Sequence, residues 1–566
     1  MTKTNGGGMK KASLILCLLV LIAATPTAAE EPKVIIEVNP NLELFAVVYI
    51  LAFNGNDPFI IAPQSYINDV LDYFAPYKDH PAVYSVREAI PQDLSHYRRD
   101  YSINEFAASL VSKPYLGNMS ENDFTLSEFY RSLISFAKES NFMEFYKKHK
   151  KEYEEALKPA RGALTQDIFQ KFEELFGKQY KTFHIALSYS LRVHPGSKAV
   201  GDTAYYFGYV GFMPEQYAEI FYLYIATHEY SHSFINPLIS EYPTEFSELD
   251  YYLLQVRSEL TYTTYDLHFD TNYLYISENL VEALTNYILM SLKPNVVHDL
   301  PRYFILRDHV LGFYLVDDLV REFRNFENSK DSNETFEDYI PILIEHMKSW
   351  ATPENVSEYF KKRVPLSGLW LFDRGYEEGK IIIVYGAKNP DPTGIEYDKE
   401  TAFMLKELIE KDDTWKLYNG KPKIIVKAEN ELGEEDLRTN LIFVGGPAAN
   451  GLVKNLTFLP IKFIFNGTWV LAKNATGFES FAGFDIENEV YRELREVSGT
   501  FQAYPLGVVE IVKNPWNERN LIAVIAGVDR YCTRKLAKDF TAYPRSYGIE
   551  SGNYTEVGFY VQGDSI

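Results

Sequence analysis

Apolar residues recur at intervals of three and four along Thr125–Lys150, Lys158–Phe176, Pro214–Ile235 and Tyr273–Leu292, the spacing that lines one face of an α-helix. Proline or glycine closes several of these stretches. Ahead of them, Val34-Ile35-Ile36-Glu37-Val38 alternates enough for a strand, and Asn39-Pro40-Asn41 reads as a turn. Past Pro365 the pattern changes. Lys380–Tyr385, Lys423–Lys427, Leu441–Val444, Val508–Val512 and Leu521–Ile525 are short, β-branched and almost continuously apolar, as strands covered on both faces are. A helical stretch, Asp398–Glu410, separates the first two. The pattern predicts an α+β chain: a mainly helical domain over 30–365, an α/β layered domain over 366–546, and a tail over 547–566 that holds at most a peripheral strand.

The amino-terminal pattern predicts export. Lys10 and Lys11 precede an apolar run from Leu14 to Ala23, and Thr27-Ala28-Ala29 follows with the small residues of a cleavage site. Residues 1–29 therefore read as a secretory signal peptide, which places the mature chain outside the cell or on its surface. No later stretch is apolar enough to span a bilayer. Of the two cysteines, Cys17 lies in the signal and Cys532 remains alone, so an intramolecular disulfide is not expected. A net charge of −22 argues against nucleic acid and against an anionic membrane surface as partners. The 43 Tyr and 38 Phe suit thick cores and wet clefts alike.

One helix carries candidate chemistry. The run from Pro214 contains His228-Glu229-Tyr230-Ser231-His232 and is expected to end at Asn236-Pro237. Residues i and i+4 share a helical face, which suits two imidazoles on one zinc ion. Glu229, one residue on, is placed to take a proton from the attacking water. Three ionisable groups on so apolar a helix cost several kcal/mol unless something pairs with them, and Zn²⁺ is the simplest partner. A further Gly and His shortly after His232 would mark a metzincin, but the chain continues Ser-Phe-Ile-Asn-Pro-Leu. The third ligand is thus expected to be an acid on a later helix. The segment S-E-N-L-V-E-A-L-T-N-Y-I-L supplies Glu278 and Glu282 four residues apart. Like charges at that spacing repel, and a cation with a histidine N–H on the same face would reverse the penalty. Glu278 reads as the zinc ligand and Glu282 as a carboxylate that orients a ligand histidine, with the exchanged assignment as the alternative.

An H-E-x-x-H helix followed by a helix bearing E-x-x-x-carboxylate resembles the gluzincin (thermolysin-like) arrangement. H-E-Y-S-H-S-F-I-N-P from His228 and V-N-P-N-L-E-L-F from Val38 are more closely similar to a poorly characterised family of archaeal and bacterial exported proteins. That resemblance covers roughly residues 33–350. The family pattern E-x-L-x-R-A is met at Glu278, Leu280 and Ala283, whereas Glu282 stands where the family usually has Arg. L-I-F-V-G-G-P-A-A-N from Leu441, G-V-V-E-I-V-K-N-P-W-N from Gly507 and I-A-G-V-D-R from Ile525 resemble the C-terminal α/β region of archaeal S-layer-like surface proteins. The second resemblance implies association with the cell envelope, not a further enzyme.

Other signals are weaker. Gly445-Gly446-Pro447 lacks the order and the lysine of a phosphate loop and is expected to be a tight strand-to-helix turn. Seven Asn-x-Ser/Thr sequons occur, at Asn118, Asn333, Asn355, Asn455, Asn466, Asn474 and Asn553. His184, His194, His268 and His309 stand alone and are expected to be structural, with completion of an oxyanion site by His184 or a tyrosine as the alternative. The expected function is that of a zinc metallopeptidase acting on a peptide or protein substrate. The alternatives are a surface structural protein with a non-catalytic zinc site, and a zinc hydrolase of other substrates.

Overall fold

The computed structural model describes residues 32–91, 96–120, 126–178, 180–211, 215–249, 272–292, 313–331, 334–362, 368–411, 420–456, 461–465, 469–473, 507–527, 529–542 and 556–559, with a few isolated positions besides. The expected signal peptide at 1–29 lies outside them, as does the expected domain boundary at Pro365. The chain is mixed α/β, with two mixed sheets and a hairpin. By its packing it divides into two compact units, Met1–Ser233 and Phe234–Ile566, so the division falls inside a helix.

The first unit begins with β1 (Lys33–Val38) and α1 (Pro40–Ala52). Asn39-Pro40-Asn41, expected as a turn, is instead the start of α1. The Asn39 side chain accepts from the amides of Asn41 and Leu42, and Pro40 occupies the first turn, where its missing N–H costs nothing. Helix α1 is buried from Asn41 to Ala52. A helix apolar all round carries no periodic signal, which is why the pattern passed over it.

Further on come α2 (Gln64–Tyr73), α3 (Glu128–Glu139), α4 (Phe142–Lys148), α5 (Lys158–Ala163) and α6 (Gln166–Phe176). The single helix expected over 125–150 is broken at Asn141, whose φ of 51° is left-handed and cannot continue a right-handed helix. The helix expected over 158–176 breaks between α5 and α6, and Gly177, at φ 62°, closes it.

The helical half also contains a sheet that the pattern did not reveal. β2 (Thr182–Ser188), β3 (Gly196–Val200) and β4 (Thr203–Tyr209) join β1 in the order β1-β2-β4-β3. β1, β2 and β4 are parallel, and β3 runs antiparallel along the outer edge. One face presents Phe183 and Tyr206 toward Tyr230 and Phe169. Phe183 lies 4.4 Å from Phe169 and 5.3 Å from Tyr230, centroid to centroid.

Tyr230 belongs to α7 (Glu215–Glu241). The helix does not stop at Asn236-Pro237 as expected but runs through Pro237 for another turn. Proline inside a helix removes one backbone bond, and the remaining bonds and the buried Leu238 and Ile239 carry the helix on.

The second unit continues with α8 (Asn272–Leu292) and α9 (Val316–Ser329). Its six-stranded sheet has the order β12-β10-β11-β7-β5-β6. The strands are β5 (Lys380–Tyr385), β6 (Lys423–Ala428), β7 (Asn440–Val444), β10 (Gly507–Lys513), β11 (Leu521–Gly527) and β12 (Glu556–Phe559). β6, β5, β7 and β11 are parallel; β10 is antiparallel to β11 and parallel to β12. β12 lies in the expected tail as an edge strand. Helices α10 (Pro392–Glu410) and α12 (Arg530–Ala542) accompany the sheet, and α11 (Gly451–Asn455) follows β7. Ile381, Ile382, Ile383 and Val384 are all fully buried, the signature of a strand covered on both faces. β8 (Ile461–Phe465) and β9 (Trp469–Lys473) form a separate antiparallel hairpin.

Candidate metal centre

Helix α7 sets two imidazoles on one face. The rings of His228 and His232 have centroids 5.0 Å apart and planes at 83°, so they converge edge to face rather than stack. Tyr224, one turn earlier, lies parallel to the His228 ring at 6.1 Å and limits how that ring can turn. Within the first unit α7 is pinned to the sheet by its neighbours. The Ser197 hydroxyl, on β3, donates to the Glu229 carbonyl, and Ser233 Oγ lies 3.4 Å from Ser197 Oγ. The Thr227 and Ser231 hydroxyls are consumed by carbonyls four residues earlier on the helix, at 2.6 and 2.8 Å.

Glu278 is the third member. One ring nitrogen from each histidine and one Glu278 carboxylate oxygen all lie within 4.8 Å of one another, and all three residues are half-buried. Its place on α8 is fixed from within the second unit. The Ser277 hydroxyl donates to Asn236 Oδ1 at 2.7 Å, and Asn236 sits one turn past His232 on α7. On either side of Glu278, α8 is also held to the segment before α9. The Asn279 side chain accepts from the Leu315 amide at 3.0 Å, and the Tyr275 hydroxyl from the Tyr314 amide at 2.9 Å.

Of the two carboxylates read from the α8 segment, the structure brings Glu278 to the histidines. Glu282 is buried one turn on, and its backbone carbonyl accepts from Asn286 Nδ2 at 2.9 Å. Glu229 is half-buried on α7. Beside it on β4 is Tyr206, whose phenol is pushed well above its usual range, chiefly by burial, with the charges of Tyr222 and Glu229 adding to it.

Sequence reasoning missed Ser197, Ser277 and Asn236. Small hydroxyl and amide residues acquire such roles only through tertiary contact, so nothing in their spacing marks them. Two of the lone histidines lie among the described residues, each beside a carboxylate. His184 pairs with Glu37 at 3.0 Å, and His194 lies 3.7 Å from Asp100; His268 and His309 are outside the described residues. Among the sequons, Asn118, Asn355 and Asn455 are exposed, while Asn333, Asn466, Asn474 and Asn553 lie outside the described residues.

Two imidazoles and one carboxylate converging on a point are the donor set of a zinc site that keeps a coordination position open. The residues present fit that metal. No helix among the described residues is long and apolar enough to cross a membrane. The model of one protein family, described as a Domain of unknown function (DUF4932), matches residues 34–346, more than half of the chain. The match runs from β1 into the helix Phe336–Trp350 and encloses His228, Glu229, His232, Glu278 and Glu282. No curated protein matches the chain.

Proposed function

The chain belongs to the DUF4932 family, and we propose that it is a zinc-dependent peptidase with a zincin-like catalytic unit. The observation that carries the reading is the convergence of His228, His232 and Glu278 within 4.8 Å, with Glu229 on the same helix. A bound zinc ion would polarise the scissile carbonyl and make a water nucleophilic near neutral pH. His228 and His232 would hold the metal through their ring nitrogens, and Glu278 through a carboxylate oxygen. Glu229 accepts the proton of the attacking water and returns it to the leaving amine nitrogen. Glu282 orients a ligand histidine.

A peptide substrate is favoured by the position of β3. It is the outer strand of its sheet, and its Ser197 touches the main chain of Glu229. An open strand edge offers unpaired amides and carbonyls, to which an extended peptide can add as a further strand. Export through residues 1–29 and envelope association through the α/β region 366–546 complete the proposal. Amino-terminal sequencing of secreted protein would check the first of these.

The test is Glu229→Gln against a diverse peptide library. The amide keeps size and loses the proton-accepting charge, so cleavage should fall by about 10²–10⁴-fold while the fold persists. Cleavage by Glu229→Gln at the wild-type rate would refute the mechanism. A wild-type protein that holds zinc and cleaves nothing would favour a structural site.

A further inference from the structure

The second unit has a cavity that the peptidase reading does not use. It measures about 100 Å³ and sits where three parallel strands, β5, β7 and β11, end. From β5 the chain moves to β6 on one side and then to β7 on the other. A reversal of strand order opens a crevice at the carboxyl ends, where open α/β sheets bind ligands. The walls come from the Gly445–Ala449 turn, from Asn389 and Asp398, and from the start of α12 at Asp529, Arg530 and Thr533.

Glycine lets the backbone form these walls. Gly445 has φ 99°, and a Cβ there would lie 3.5 Å from Asp398 Oδ2. A Cβ on Gly527 would come within 2.5 Å of the Thr533 amide. The turn expected at Gly445-Gly446-Pro447 is present: the Ala449 and Asn450 amides both donate to the Gly446 carbonyl, and Asn450 caps α11.

The charges decide what the cavity can hold. Asp398 is only 2% exposed. Asp529 is committed through Oδ1 to the Cys532 amide at 2.7 Å. The guanidinium of Arg530 is engaged by Asp391 and by Thr393 Oγ1. Two carboxylates against one partly neutralised cation disfavour a phosphate, although the Gly-Gly turn at first suggests one. The Thr533 hydroxyl donates to the Asp529 carbonyl and accepts from the Gly527 amide, and the Asn389 side chain is engaged by the Asp391 amide and by Asp398, so the group left for a ligand is the Asp398 carboxylate, whose remaining lone pairs suit the hydroxyls of a sugar. The volume is several times what one water occupies, and the exposed Ala448 stands at the rim.

We propose that this cavity binds a neutral polyol of monosaccharide size, with the Asp398 carboxylate accepting hydrogen bonds from two adjacent hydroxyls. The ligand could be a free sugar or the terminal unit of a glycan. The site is separate from the metal centre and stands whether or not the peptidase reading does.

The test is saturation-transfer NMR on the full-length chain with ribose, glucose, mannose and galactose, their methyl glycosides, inorganic phosphate and AMP. Saturable binding of a sugar is expected at about 1–10 mM, the range that so small a ligand can reach. Asp398→Asn should weaken it by about 10-fold or more, through loss of charge-assisted bonds. Ala448→Trp, at an exposed position, should block entry while the protein stays folded. Preference for glycosides would point to a glycan terminus, and preference for reducing sugars to a free ligand; either supports the proposal. Binding of phosphate or AMP without sugar, a sugar signal unchanged in both variants, or no sugar signal at ~50 mM would overturn it.

Discussion

Removal of the Glu43 carboxylate is the sharpest test of how the first unit is held together. Glu43 lies on α1 and is completely buried. Its Oε2 accepts from the Tyr189 amide at 2.8 Å, the Ser190 amide at 3.3 Å and Ser188 Oγ at 3.4 Å. Its Oε1 accepts from the Tyr66 hydroxyl of α2 at 2.8 Å and from the Ser190 hydroxyl. Burial pushes its pKa up, and the donors pull it down by less. Glu43→Leu would leave two buried amides at the end of β2 without their acceptor, at about 1–3 kcal/mol each. With two amides and the hydroxyls of Tyr66 and Ser190 losing their acceptor together, Glu43→Leu should destabilise by about 4 kcal/mol. Glu43→Gln can point its oxygen at the amides and its NH₂ at hydroxyls that rotate to accept. It should cost only about 1–2 kcal/mol. Urea unfolding followed by near-ultraviolet tyrosine dichroism would measure both. Glu43→Leu as stable as wild type, or less harmful than Glu43→Gln, would refute the claim that this carboxylate gathers the 188–190 segment.

Burial raises the Asp398 pKa from the ordinary 3.8 to about 6. Its stabilising contribution is therefore complete below about pH 4 and lost as pH rises through 6, by at most about 3 kcal/mol. Asp398→Asn should then be more stable than wild type at pH 8, keep about half of that advantage at pH 5 and lose it by about pH 4; thermal melts across this range would check this, and a difference independent of pH would contradict it. Glu282→Gln should keep the fold and weaken zinc about 10–100-fold, read by competition with a chelating dye. Ser277→Ala removes the bond to Asn236 and should cost about 1 kcal/mol in the same unfolding assay used for Glu43.

The sequence was most legible where side chains repeat regularly or where chemistry fixes spacing. The strands of the second sheet were readable to within one or two residues because β5, β7 and β11 are covered on both faces and so are continuously apolar. The His228–His232 pair was readable because their spacing puts both on one helical face, and the Glu278–Glu282 pair because like charges at that spacing call for a partner; which of the two acids lies nearer the histidines depends on how the helices pack. The first sheet was not. T-F-H-I-A-L-S and T-A-Y-Y-F-G-Y neither alternate cleanly nor form long aliphatic runs, and the first of them pairs with β1, far away in sequence. Helix α1 escaped because its burial is uniform, and the continuation of α7 through Pro237 because tertiary packing there outweighs one missing backbone bond. Breaks such as Asn141 depend on a single left-handed residue that a periodicity reading averages away.

The most direct test of the metal centre is the zinc content of purified protein, measured by mass spectrometry after exhaustive buffer exchange. Wild type and Glu229→Gln should each carry one zinc per chain, because in the proposed mechanism Glu229 works on the water and does not hold the metal. The double variant His228→Ala/His232→Ala should carry none. Zinc retained in full by the double variant, or lost from Glu229→Gln alone, would contradict the account.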